Sequence, residues 1–530
     1  MGYRDRAKFL PIKSGLNLMN SIQLSLFSSR IDAVCEEMGA VLQRAAFSTN
    51  IKDRLDFSCA VFDAEGELCA QAAHIPVHLG SMAYAMRGIV SQFDWQPNDM
   101  VVLNDPYMGG THLPDVTVIG PLFSSGELIG FVANRAHHAD IGAESPGSMP
   151  ISTHISQEGM VISPQYLLKR GVKEALFFDA LTNNFQNKDG VFGDFIAQIS
   201  CCKRGLERLE KLVSTMGDAD YLEGLAQLNR YGERLALKAL SKIKPGIYCF
   251  SDVMDGDGVS ENPVPIRVKI TVNHQRIKVD FAGTSPQVAG NINCPISVAA
   301  AAVYYVFCAL MPSNAPTCAG LFRPIAIDAP EGSLLNASYP AAVAAGNVET
   351  STRVVDVIIG ALSTALPDEM PAASHGSMNN LAMGSREKGA EWDYYETIGG
   401  GMGASSQSLG LSAVQTHMTN TLNTPIESLE MSFPIQINRY ALRRGSGGAG
   451  LHAGGDGIIR EYRFLKPTQV TIISERRNNA PWGLKGGLPG KVGKNSLNGQ
   501  PLPPKIALVL KEGDVVMIET PGGGGWGAAL

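Results

Sequence analysis

Charge is scarce in this chain, and so is any motif that would announce a nucleotide, a disulfide or a membrane. Asp, Glu, Lys and Arg make up 18% of the 530 residues, below the roughly 25% of an ordinary soluble domain. The formal balance is −6, from 44 basic and 50 acidic side chains. No basic stripe appears, which removes the electrostatic footprint of a nucleic-acid binder. The nine cysteines form no C-x-x-C pair. Several lie inside apolar runs, so they read as buried thiols of a reducing compartment and not as a disulfide framework. The longest uncharged apolar run, 298–311, has fourteen residues; that suits a buried helix and is too short to span a bilayer. The charged first nineteen residues lead into no apolar core of the secretory kind. The expectation is a cytoplasmic chain with no membrane and no nucleic-acid partner. A P-loop is missing too: Gly490-Lys491 is followed by Val492, and position 485 holds Lys instead of the first glycine.

Glycine is what the chain has in excess, 57 of 530 residues. Low charge with high glycine points to long ordered loops and to surface covered by other subunits, although a single large-cored enzyme has the same composition. The length allows two to four domains. The expected fold class is α+β, multi-domain, with mixed β-sheets, packed helices and a β-rich C-terminal domain. The expected units are a disordered extension over 1–19, an N-terminal metal-site domain with a helical segment over 20–245, a central α/β domain over 246–440 and the β-rich domain over 441–530. Helical spacing of Ile22, Leu26, Ile31, Val34, Met38 and Val41 predicts an amphipathic helix from Asn20. Residues 175–245 are helical in period, and 469–473, 506–510 and 515–519 read as strands. The glycine clusters at 375–380, 399–405, 443–457 and 522–525 read as tight turns with left-handed residues. Asp255 and Asp257 lack the other ligands of a calcium loop, so a turn is expected there.

Histidine marks the candidate site. Six of the ten histidines fall between His74 and His154. His112 and Asp115 are three residues apart in a Gly/Pro loop, and His137, His138 and Asp140 close the next apolar run. The runs 116–119 and 128–132 flank a Ser-Ser-Gly turn and should pair as a hairpin. His112 and Asp115 at the start of one strand then lie at the same end as His137 at the exit of the other. Histidine is the commonest metal ligand and carboxylate its usual companion. Hydrogen bonding to loop backbone is the plainer alternative. A second hairpin, 57–62 with 67–72 about Asp63–Gly66, places Asp56 at its mouth, as a cap or a further ligand. His74 and His78 flank Pro76 on an expected loop, and either is a candidate to line the same cavity.

The ordered motifs NDPYMGGTHLPD, RAHHADIG, DFAGTSPQVAGNIN, GNVETSTRVVD, YETIGGGMGA, HMTNTLNTPIESLE, GGAGLHAGGDGIIREYRF, SERRNNAPWGLKGG and TPGGGGWG resemble the hydantoinase B/oxoprolinase family, from about Asn20 to the C-terminus. The resemblance implies an ATP-dependent hydrolase of cyclic amides such as a hydantoin or 5-oxoproline. It implies a partner, an actin-like ATPase of the hydantoinase A type that binds ATP and phosphorylates the substrate's carbonyl oxygen, and hence a hetero-oligomer. It also implies a divalent metal (Zn, Mn or Fe) on His112, Asp115 and His137, with Asp56 as a less secure fourth ligand.

The implied chemistry is coherent. A lactam carbon is a poor electrophile; phosphorylating its oxygen makes it imidate-like, and a metal-acidified water can attack it. His138 is the candidate general base, although adjacent strand side chains point to opposite faces; were His138 the ligand, His137 would take the other role. The family's ketone-carboxylase branch, of the acetone carboxylase type, is the alternative enzyme, and a non-catalytic scaffold for the ATPase is the alternative of another class.

Overall fold

A computed structural model of the chain describes residues 19–73, 75–185, 188–274 and 276–529. The expected extension lies outside the described residues up to position 18, and so does His74. Helix α1 (Ser21–Ala45) begins at a capping box, in which the Asn20 side chain accepts from Gln23 N–H and the Gln23 side chain accepts from Asn20 N–H. Its buried stripe is Phe27, Ile31, Val34, Cys35, Met38 and Leu42.

That stripe lies on a seven-stranded antiparallel sheet. Its strands are β1 (Phe57–Phe62), β2 (Leu68–Ala73), β3 (Met100–Leu103), β4 (Asp115–Ser124), β5 (Glu127–His137), β6 (Gln165–Lys169) and β7 (Val172–Lys173), in the order β2-β1-β5-β4-β3-β6-β7. The remaining helices of this region are α2 (Thr49–Lys52), α3 (Pro76–Val90), α4 (Ala175–Asn184), α5 (Lys188–Met216) and α6 (Asp218–Leu240). Alternate residues of β1 serve two cores. Phe57, Cys59 and Val61 pack with α1 and α5, whereas Ala60 and Phe62 pack with Met82, Met86 and Ile89 of α3. With both faces covered, the central strands read as continuous apolar runs. The expectation of a loop around Pro76 is corrected: Pro76 is the first residue of α3, where its fixed φ suits a helix start, and His78 sits in that first turn.

The second sheet holds β8 (Gly246–Met254), β9 (Val264–Asn273), β10 (Arg276–Asp280) and β11 (Ile325–Asp328), in the order β11-β10-β9-β8. Val264, Ile266, Val268, Ile270 and Val272 alternate inward from β9 onto α7 (Ile296–Cys308) and α8 (Ser351–Ala365), while the intervening residues face out. The run at 298–311 is thus a buried helix, as expected. Helices α3 and α7 cross closely because Gly80 faces Ala301; a Cβ on Gly80 would stand 2.6 Å from the Ala301 Cα. A single π-turn, Gly346–Thr350, leads into α8.

From residue 380 onward the chain builds two more sheets. One joins β12 (Asn380–Ser385) and β13 (Trp392–Glu396) to the later strands β16 (Thr468–Ile473) and β19 (Lys505–Leu510); the short helix α9 (Ile426–Ser432) follows β13. The other holds β14 (Ile435–Arg443), β15 (Gly457–Phe464), β17 (Lys494–Leu497), β18 (Gln500–Leu502) and β20 (Val515–Glu519). Leu381, Met383, Tyr462, Phe464, Val470, Ile472, Val516 and Ile518 fill the space between them. The fold is therefore α+β with several sheets.

The glycine clusters correct the sequence reading. Of their glycines only Gly376 and Gly445 have positive φ. Gly400 is glycine because the His375 side chain packs on it, and the others because backbones stack on one another. A Cβ on Gly455 would meet Leu411 O at 1.9 Å, one on Gly401 would meet Gly455 O at 1.9 Å, and one on Gly523 would meet Met402 O at 2.1 Å. Four distant loops are interleaved at main-chain contact distance. Asp257 closes a local turn, as expected, by accepting from the N–H groups of Val259 and Ser260, and also from Gly290 N–H; Asp255 instead accepts from the distant N–H groups of Arg477, Asn478 and Asn479. Among the described residues, no helix is long and apolar enough to cross a membrane.

Candidate metal centre

The β4–β5 hairpin sets the site. Its turn residues Ser125 and Gly126 both have positive φ, 52° and 87°, the conformation of a two-residue type I′ turn whose twist matches the strands. Ser124 pairs with Glu127 at the turn, and at the far end Asp115 pairs with His137. His112 reaches the same end from the loop before β4. Strand β1 pairs with β5 on its other side, and His137 N–H donates to Asp56 O at 3.0 Å, so Asp56 comes alongside.

Ligand atoms of His112, Asp115 and His137 lie within 4.8 Å of one another, and all three residues are buried. Asp115 Oδ1 is 3.3 Å from His112 Nε2 and 3.3 Å from His137 Nδ1. The two carboxylate oxygens do different work. Oδ2 accepts from Thr111 Oγ1 at 2.6 Å and from Asn347 Nδ2 at 3.3 Å, and lies 3.3 Å from His78 Nε2. Oδ1 has no hydrogen-bond partner, and neither has His112 Nε2. Buried polar atoms are nearly always satisfied, so an orphaned carboxylate oxygen facing an orphaned imidazole nitrogen is the signature of a missing third party. A divalent cation fits this donor set.

The imidazoles are oriented from behind. His112 Nδ1 lies 3.2 Å from Ala344 O; a proton placed on Nδ1 by that contact leaves the Nε2 lone pair for the cluster. His78 Nδ1 is 3.1 Å from Ser58 Oγ. His137 stacks on Tyr395, with ring centroids 5.0 Å apart and an interplanar angle of 10°. Tyr395 is itself fixed: its hydroxyl donates to Asn380 Oδ1 at 2.7 Å, and Arg54 donates to its carbonyl at 2.7 Å.

Electrostatics follow from burial and from the cluster's own charges. Burial works to raise the Asp115 carboxyl, but His112, His78 and His137 outweigh it and hold the group well below the usual carboxylate range. Burial works to lower His112, and Asp115 outweighs it, so that imidazole is raised. For His137 burial wins, and the ring is lowered and kept neutral.

The other expected site residues are placed as follows. Asp56 is at the edge, its Oδ2 4.0 Å from His137 Nδ1, outside the group of three. His138 is not brought to the cluster: its Nε2 is 3.0 Å from Gln198 Oε1 and its ring packs on Phe195, both on α5. Strand alternation turns neighbouring side chains apart. Sequence reasoning missed Thr111, Asn347, Ala344 and Tyr395. Only Asn347 carried a local signal, since it stands in the polar start of a helix, where the π-turn has formed; such turns are frequent at functional sites.

The family model described as Hydantoinase B/oxoprolinase matches residues 20–529. An uncharacterized protein of Methanocaldococcus jannaschii is 42% identical over 522 residues, covering 96% of this chain and 91% of its own. The 5-oxoprolinase 1 of Arabidopsis thaliana is 39% identical, covering 98% of this chain; this chain spans 43% of that protein's length. A protein of Pseudomonas sp., named as the B-type subunit of a D-/L-hydantoinase, is 30% identical over 98% of this chain and 92% of its own. Among solved structures, the ATP-dependent caprolactamase from Pseudomonas jessenii superposes with a TM-score of 0.88 at 26% identity, covering 97% of this chain and 92% of that one. Acetone carboxylase shares the fold, with a TM-score of 0.85 at 18% identity over 96% of this chain and 76% of that one.

Proposed function

We propose that this chain, which belongs to the hydantoinase B/oxoprolinase family, is the B-type component of an ATP-dependent cyclic amide hydrolase and holds a divalent metal ion at His112, Asp115 and His137. The observation that carries the reading is Asp115 Oδ1, buried, unpartnered and equidistant at 3.3 Å from two imidazole nitrogens. The names 5-oxoprolinase, D-/L-hydantoinase and caprolactamase support the substrate class, a lactam or cyclic imide. We assign ATP binding to a separate A-type ATPase of the actin-like kind, in keeping with the subunit naming of one relative and the lack of a P-loop here. The A-type component phosphorylates the amide oxygen, and the activated ring is opened at this site.

A divalent ion in this donor set supplies Lewis acidity, which lowers the pKa of water and offsets charge developing on a departing oxygen. The chain's own residues prepare that position. Thr111, His78 and Asn347 hold Asp115 Oδ2, which leaves Oδ1 to face the imidazoles. Asp56, 4.0 Å from His137, is the fourth donor in this reading, its second carboxylate. The Tyr395 ring covers His137 and keeps bulk water off that side.

The test is reconstitution with the A-type ATPase. The complex should contain stoichiometric metal and open a lactam or hydantoin ring with coupled ATP hydrolysis. In His112→Ala, product should vanish while part of the ATP turnover persists. Full product formation by that variant would remove the site from the mechanism, and ATP turnover that depends on bicarbonate would replace hydrolysis with carboxylation.

A further inference from the structure

We propose that Glu158 is a positioning residue of this metal centre, acting on His112 through the backbone of Val343 and Ala344; the proposal rests on the reading of His112, Asp115 and His137 as metal ligands. Glu158 is fully buried. Among the described residues it has no ion pair with Lys, Arg or His, an expensive state for a carboxylate. Three donors satisfy it: Ser152 Oγ at 2.7 Å, Val343 N–H at 2.9 Å and Ala344 N–H at 2.9 Å, all to Oε1, and Val343 N–H also lies 3.1 Å from Oε2. Burial, partly countered by these donors, pushes its carboxyl up to about 7.

The segment it grips does little to hold itself. Residues 341–346 read Ala-Ala-Val-Ala-Ala-Gly, without one polar side chain; apart from the internal bond from Gly346 N–H to Val343 O at 3.0 Å, its anchors come from outside. The Tyr107 hydroxyl donates to Ala341 O, and Asn293 Nδ2 donates to Ala342 O at 3.0 Å. Asn291 O receives the N–H groups of Ala345 and Gly346, each at 3.0 Å. Glu158 supplies the grip between these, on Val343 and Ala344. The next group along is the Ala344 carbonyl, 3.2 Å from His112 Nδ1. Three residues further on, Asn347 touches Asp115. Glu158 therefore sets the placement of the carbonyl that fixes the tautomer and ring angle of one ligand, and it tethers the segment that carries a contact to another. Outer-shell partners of metal-binding histidines act in this manner, and their loss weakens metal affinity.

The test is titration of the metal-free full chain with Co²⁺ and Zn²⁺, reading affinity and the Co²⁺ ligand-field spectrum. Glu158→Ala should weaken Co²⁺ binding by about 10- to 100-fold and change the spectrum. Glu158→Gln, whose amide oxygen in the Oε1 place can still accept from Ser152 Oγ, Val343 N–H and Ala344 N–H, should restore most of the affinity. A merely structural role predicts a lower Tm with wild-type affinity and spectrum in the folded variant, and that result overturns the proposal. Should Glu158→Ala fail to fold, Ser152→Ala, which removes one of the donors that hold Oε1, decides: a measurable weakening of Co²⁺ binding supports the proposal, and wild-type affinity and spectrum refute it. A wild-type chain that takes up neither ion overturns the metal reading itself and this proposal with it.

Discussion

Asp115 stands directly opposite His137 in the β4–β5 register, with 3.3 Å between Oδ1 and Nδ1. Ten paired positions run from that contact to the turn at Ser125-Gly126, with one bulge between Leu122 and Phe123 that skips Ile129; without that bulge Asp115 would oppose Ala136, and the imidazole would fall on the other face. The juxtaposition of Asp115 and His137 is thus a property of strand register.

Asp115→Asn is expected to abolish stoichiometric metal binding, with affinity falling on the order of 100-fold or more. The amide keeps the shape of the carboxylate but removes the anion between three imidazoles. Metal content after gel filtration, measured beside the wild type, checks this; an Asn variant that retains one ion per chain would show that the charge is dispensable.

His375 gives the protein an acid limit independent of the metal site. It is buried beside His417 and Arg477, and burial first, then those neighbours, press its imidazole down to about 3. His417 lies 3.9 Å from Asp356, which in turn pairs with Arg476. The folded chain keeps His375 neutral, while the unfolded chain protonates it below about 6.5. Unfolding then takes up a proton, so stability is lost as pH falls from about 6.5 towards 3, with a slope of about 1.4 kcal/mol per pH unit from this residue. Urea midpoints for the wild type and His375→Asn should converge in that window as acid is added. Parallel curves would remove His375 as the cause.

The interleaved glycines separate two penalties. Gly455→Ala places a methyl 1.9 Å from Leu411 O, which rigid backbone cannot relieve, and should cost about 4 kcal/mol or more, an exceptional value for one substitution. Gly445→Ala has open space around it but φ of 70°, and should cost about 1–2 kcal/mol. Denaturant unfolding of the two variants tests the ranking, and an equal loss would mean the loops can part.

What could be read from the sequence was whatever is local. The β4–β5 hairpin shows itself in two apolar runs and a Ser-Ser-Gly turn, which bring Asp115 and His137 to the same end; the bulge at Ile129 that sets them directly opposite has no such signal. Helix α1 shows itself in the spacing of Ile31, Val34 and Met38, although Ile22 and Leu26, counted in the same stripe, are exposed. Ala344 and Tyr395 reach the site from more than two hundred residues away, and Ala344 contributes only a carbonyl, which no side-chain pattern encodes. The α3 start was hidden by Pro76, read as a loop breaker when it was a helix opener. The glycine clusters misled because glycine answers two demands, unusual φ and close approach, and the letter G does not say which.

The belt at 341–347 has a consequence for how the protein matures. Its carbonyl and its asparagine come from a part of the chain synthesised long after the hairpin they touch, so the hairpin alone presents an ungoverned histidine. Such widely separated contacts close late and slowly in folding. Under the proposed metal reading, ion capture would be an end-of-line inspection: a chain truncated before residue 341 would hold a cation weakly, and firm retention would certify that the N-terminal sheet and the middle of the chain have found each other.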